Sequence, residues 1–103
     1  MNAIENDVRA LVDKELAAAN ERFPQFHSQH EGYAVILEEF EEMKEQAEAA
    51  ERFLTYMWDR VKHDNPAKSQ VENVMLFSEN VACEAIQVAA MCKKFLEMEE
   101  ENK

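Results

Sequence analysis

The chain has 103 residues, so it holds one domain at most, and a core of that size gains from self-association. Its formal charge of -11, from 22 Asp and Glu against 11 Lys and Arg, repels phosphate backbones and anionic lipid, so no nucleic acid and no membrane is the expectation for partners. At 47% hydrophobic, with the apolar positions in a regular period, the chain is a folded protein and not an acidic disordered tail. A small polyphosphate stays open as a ligand, because a bound divalent cation inverts the local electrostatics of a carboxylate cluster.

One Gly and two Pro leave few breaks, and the pattern predicts three helices and no strand, at about 3–22, 29–64 and 69–100. Asn2 with Glu5, Ser28 with Glu31 and Ser69 with Glu72 each fit a capping box at a helix start. The first helix carries Ile4, Val8, Leu11, Val12 and Leu16 on one side. In the second, Ile36, Phe40, Met43, Ala47, Ala50, Leu54, Met57 and Val61 alternate steps of four and three, a heptad seam. In the third, Met75, Ser78, Ala82, Ala85, Ala89, Cys92 and Leu96 make a matching row, widened by Val74, Val81, Val88 and Phe95.

The short DNPAK connection predicts that the second and third helices form a long antiparallel hairpin, partly covered by the short N-terminal helix. Two helices of roughly 45–50 Å each expose too much apolar side for a monomer. The expected assembly is a homodimer or homotetramer around a four-helix core, with Tyr33, Leu37, Phe53 and Trp58 buried against the first helix or a partner. Cys83 and Cys92 lie nine residues apart on one helix, roughly 13 Å at 1.5 Å per residue, so they read as reduced packing residues. The segment MNAIENDVR has no apolar signal core, no stretch approaches the ~20 apolar residues of a bilayer span, and EMEEENK reads as a fraying acidic tail. The expected location is cytoplasmic.

Within LEEFEEMKEQ, Glu38, Glu39 and Glu42 form E-E-x-x-E on one helix. On a wheel Glu38, Glu42 and Glu39 fall at about 0°, 40° and 100°, flanking a seam near 200° around Phe40. That is also how a solvated face looks, and Glu41, Glu45 and Glu48 add to it. On the third helix, however, Asn80, Glu84 and Gln87 form a polar stripe among valines and alanines. Antiparallel pairing that sets Glu84 beside Glu39 and Glu42 would surround one point with oxygen ligands, suited to Mg²⁺ or Mn²⁺ more than zinc. Without metal, such acids repel and take up protons.

LEEFEEMKEQ, followed by EAIQVAAMCKKFLE, resembles the MazG-like all-α nucleotide pyrophosphohydrolases, in particular the small phage and prophage forms; the likeness covers residues 28–97. The family pairs E-E-x-x-E on one helix with E-x-x-D on the next. Glu38, Glu39 and Glu42 match the first motif and Glu84 opens the second, while Gln87 stands where the family has Asp and the spacing between motifs is longer. The resemblance implies hydrolysis of a nucleoside triphosphate between the α and β phosphates. Glu39, Glu42, Glu84 and Gln87 would hold Mg²⁺, and Glu38 would assist metal binding or position a water.

Lys62, Arg60, Lys93 and Lys94 read as phosphate contacts or as cations complementing helix ends, and Trp58, Tyr56 and Phe53 as base-stacking or core aromatics. His27, His30 and His63 share no ligand spacing with cysteine, which argues against zinc, and Met43, Met57, Met75 and Met91 read as core fillers. A second class of function stays open: a non-catalytic helical oligomer acting as a phage-type accessory or protein-interaction module.

Overall fold

The computed structural model describes residues 3–101. It is all-helical: α1 (Glu5–Arg22), α2 (Gln29–Lys62) and α3 (Lys68–Glu101), with no strand among the described residues. Each boundary has a local cause. α1 starts behind Ile4, which supplies no side-chain cap, and Asn2 of the expected capping box lies outside the described residues. Glu5 and Asp7 instead put negative charge on the first turn, where the helix dipole favours it. α1 stops at Phe23, whose backbone is extended (φ -133°, ψ 143°) because helical geometry is disfavoured directly before Pro24.

The α2 capping box is half as expected: Ser28 Oγ accepts from the Glu31 backbone N–H at 3.1 Å, while the Glu31 carboxylate turns to His27 Nδ1 at 3.0 Å. The far end of α2 closes in a Schellman turn. Asn65 N–H bonds the Arg60 carbonyl at 2.9 Å and Asp64 N–H bonds that of Val61 at 3.0 Å. Asp64 takes the left-handed conformation this turn demands, at φ 55°. Arg60 Nε then donates to the Pro66 carbonyl at 2.9 Å and pins the connection. α3 begins at Lys68, one residue before the expected cap, so Ser69 sits inside the first turn and its carbonyl accepts from Asn73 Nδ2. The acidic end expected to fray is helical through Glu101.

α2 and α3 run in opposite directions along each other. Gln29 bonds Glu99, Gln46 Oε1 accepts from Asn80 Nδ2 at 3.0 Å, and Phe53 stacks on Phe77 at 5.7 Å between centroids. α1 rests on α3 through Val12, Leu16 and Ala90, with Asp13 paired to Lys93. α1 and α2 each pack on α3 and not on each other among the described residues, a geometry that leaves a cleft between them. The molecule measures 61 × 29 × 22 Å.

The helical period is as expected, but its phase differs. On α3 the row facing the other helices is Gln70, Asn73, Phe77, Asn80, Glu84, Gln87, Met91, Lys94 and Met98, in unbroken heptad steps and all buried or half-buried. The row expected to face inward is largely outside, with Met75, Ser78, Ala82, Cys92 and Leu96 exposed. On α2, Ile36, Met43, Ala50 and Met57 are half-buried as expected, but Phe40, Ala47, Leu54 and Val61 are exposed and Glu39, Gln46, Ala49 and Phe53 turn inward. Tyr33, Leu37 and Trp58 are exposed, as are Ile4, Val8 and Leu11 of α1. Both cysteines are free and, like Met75, exposed in the single chain.

One further expectation needs correction. α3 contains an 18-residue window of mean hydropathy 1.2, long and apolar enough to cross a membrane by length and composition alone. Only 6% of that window is buried in the single chain, and the polar row of Asn80, Glu84 and Gln87 runs through the helix.

Candidate metal centre and adjoining cleft

Glu39 and Glu42 stand three residues apart on α2 and so share a face. The pairing that joins Gln46 to Asn80 places Glu84 opposite them, one turn away on each helix. One carboxylate oxygen from each of Glu39, Glu42 and Glu84 lies within 4.8 Å of the other two. Glu39 and Glu84 are half-buried, and Oε2 of each is enclosed with no hydrogen-bond partner among the described residues. Enclosed oxygens without donors are unusual in folded proteins and are normally satisfied by water or a cation.

The electrostatics follow from that crowding. Burial pushes the Glu39 carboxyl above the usual carboxylate range, and the charges of Glu42, Glu84, Glu38 and Glu15 push it further. Glu84 is raised by burial first, then by the charge of Glu42 and a hydrogen bond that protonated Glu84 donates to it. Glu39 and Glu84 therefore hold protons more readily than ordinary carboxylates, a bias that a bound divalent cation would reverse.

Of the five residues expected to build the site, the structure brings together Glu39, Glu42 and Glu84. Gln87 is half-buried on the same row as Glu84, one turn along, and lines the cleft beside Glu39. Glu38 is exposed and lies outside the converging set, although Glu39 feels its charge. Glu15 was not anticipated. It falls between Val12, Leu16 and Ala19 on the inward face of α1, and an acid at a core position of an amphipathic helix is the signal that marks it.

The cleft between α1 and α2, floored by α3, has a volume of about 650 Å³, within the range of small-molecule sites. Glu39 belongs both to its wall and to the acid cluster, so the two form one continuous site. Phe23, Pro24 and Phe26 close one end, and Gln25 Nε2 ties this loop to the Lys94 carbonyl at 3.0 Å. The Lys94 side chain is only 2% exposed, its ammonium 5.1 Å from the centroid of the Phe26 ring.

The other expected contacts are elsewhere. Lys93 pairs with Asp13, Lys62 lies 3.6 Å from Asp59, and Arg60 is bonded to the Pro66 carbonyl, so of the four cations considered only Lys94 lines the cleft. Phe53 begins eleven residues beyond Glu42, about 16 Å along α2, so Phe53, Tyr56 and Trp58 are remote from the acids and the nearby aromatics are Phe23 and Phe26. Set against protein-family models, curated proteins and solved structures, the chain matches none.

Proposed function

We propose that this chain is a Mg²⁺-dependent nucleoside triphosphate pyrophosphohydrolase of the MazG-like all-α type, cleaving its substrate to a monophosphate and pyrophosphate. The observation that carries the reading is the convergence of Glu39 and Glu42 from α2 with Glu84 from α3, their oxygens within 4.8 Å of one another. Two enclosed oxygens lack partners there, and a cleft of nucleotide dimensions opens from Glu39. E-E-x-x-E with a later E-x-x-Q is the sequence counterpart of that geometry.

The donor set fits a hard divalent cation. Glu39, Glu42 and Glu84 supply carboxylate oxygens, and Gln87 an uncharged amide oxygen from the next turn of the same row. When bound, Mg²⁺, or Mn²⁺ in its place, supplies charge neutralisation on the phosphates and greater electrophilicity at phosphorus. The chain's own residues do the rest. The walls of α1 and α2 hold the nucleotide, and Glu38, exposed beside Glu39 on α2, would assist metal binding or position a water. In the reaction a water oxygen bonds to the α phosphorus, the bond to the bridging oxygen breaks, and pyrophosphate leaves while the water's proton passes to solvent.

The working form in this proposal is a cytoplasmic homodimer or homotetramer. Exposed Phe40, Leu54 and Trp58 on α2, with Met75 and Leu96 on α3, are large apolar side chains that a four-helix core would cover. The same faces, together with Gln87 in place of an acid, support the second reading, a non-catalytic phage-type accessory or interaction module. Calorimetric titration of Mg²⁺ into the wild-type protein and into Glu39→Ala and Glu42→Ala separates the two. The enzyme reading expects binding that each substitution weakens at least about tenfold, as ligand loss does. Equal heats from all three proteins would leave only the interaction module.

A further inference from the structure

Lys94 is the most buried charged residue of the described residues, and among them its ammonium stands in no salt bridge, resting instead 5.1 Å from the centroid of Phe26. Its one favourable neighbour is the face of Phe26, a weak substitute for lost water. Lys94 lines the inner end of the cleft, so a group that reaches its ammonium meets N–H donors and, from that side chain, no acceptor.

We infer that Lys94 is a specificity-determining residue that donates to an oxo group on the nucleotide base, so that the cleft prefers bases with an oxo group over their amino counterparts. This rests on the nucleotide reading proposed above. Lys94 lies ten residues beyond Glu84 on α3, about 15 Å at 1.5 Å per residue. With phosphates at the acid cluster, an extended nucleotide lying along the cleft brings its base, not its phosphates, to Lys94. A bare anion is a poor occupant of that end, because Glu15, Glu21 and Glu31 line the cleft there against Arg22 and Lys94. A neutral ring is not, and Phe23, exposed at the mouth, offers it an open aromatic face.

Selection follows from the chemistry of the donor. An oxo oxygen accepts from the ammonium, whereas an amino group at the same ring position sets donor against donor. Uracil is favoured over cytosine, and hypoxanthine over adenine. Each pair keeps its shape and differs at that ring position and in the proton on the adjacent ring nitrogen, which only the oxo base carries.

The test uses uridine, cytidine, inosine and adenosine with the metal-free protein, followed by ligand-observed NMR titration, so that neither Mg²⁺ nor turnover is needed. Uridine is expected to bind at least about tenfold tighter than cytidine, and inosine than adenosine, the ratio set by one charged hydrogen bond. Lys94→Met keeps the unbranched stem and removes the donor, and it should bring both ratios to about one. Should that variant not fold, as judged by its helical circular dichroism, the wild-type ratios decide alone, with the exposed Phe23→Ala expected to weaken all four nucleosides alike. Equal binding within each pair, or no binding of any nucleoside, overturns the inference. Either result leaves the Mg²⁺ titration of Glu39→Ala and Glu42→Ala to judge the metal reading independently.

Discussion

Replacing Glu84 with glutamine should stabilise the metal-free protein at pH 7. The Glu84 carboxylate lies within 4.8 Å of those of Glu39 and Glu42. Two full charges at that distance repel by about 1 kcal/mol at the dielectric constant of water and by about 3.5 kcal/mol at an effective constant of 20. Solvent screens the rim of the cluster, so a net gain of about 1 kcal/mol is expected. In a domain of about this length, that raises Tm by about 4–8 °C. Thermal unfolding followed by circular dichroism in EDTA, then in millimolar Mg²⁺, provides the assay. The wild type should gain stability on adding Mg²⁺ and Glu84→Gln should gain much less, so that the order of the two proteins narrows or reverses. Identical midpoints in EDTA together with identical Mg²⁺ responses would show that the three carboxylates neither repel one another nor share a cation, and the reasoning would fail.

The raised carboxyls also set a pH dependence. Because the folded-state values of Glu39 and Glu84 lie above the unfolded value of 4.5, the folded protein binds more protons between the two, and this contribution to stability is lost as pH rises through the folded values. Urea midpoints of wild type minus those of a Glu39→Gln, Glu84→Gln double variant should therefore fall with rising pH in EDTA, and a difference that rises would contradict the assignment. Gly32→Ala should destabilise by about 1 kcal/mol, because a Cβ there would lie 2.5 Å from Phe95 Cδ2 and 3.0 Å from Phe26 Cδ2 and the overpacking outweighs the gain in helix propensity; chemical denaturation reads it. Leu16→Ala, which empties the contact of α1 with Ala90, should cost about 2–4 kcal/mol in the same experiment. Phe40→Glu, at an exposed position, should leave the helical content intact and shift sedimentation toward monomer.

The three helices were legible because the chain has almost nothing to break them, and Pro24 and Pro66 mark both connections. Their phase was not. α3 is apolar nearly all round, so the row through Met75, Ala82 and Leu96 and the row through Phe77, Glu84 and Met91 carry the same period, and hydropathy favours the one with fewer polar residues. The structure turns the polar row inward, where Gln46 and Asn80 satisfy each other and Glu84 meets Glu39. That rotation also explains why Glu39, Glu42 and Glu84 were recognisable from motif spacing while Lys94 was read only as a cation near a helix end. Lysine is rarely enclosed, and nothing local to Lys94 says that Gln25 and Phe26 will fold over it. The cleft itself depends on α1 and α2 each resting on α3 with their backbones held apart, a tertiary outcome that no one segment encodes.

The converging acids and the cleft are proposed to act together on nucleoside triphosphates. The most direct test is pyrophosphate release from a panel of deoxynucleoside triphosphates, measured for the wild-type protein and Glu39→Ala in Mg²⁺ and in EDTA. The wild type should release pyrophosphate from at least one nucleotide with Mg²⁺ and none in EDTA, and Glu39→Ala should release none. No release from any nucleotide with either Mg²⁺ or Mn²⁺, or release that Glu39→Ala leaves unchanged, would contradict it.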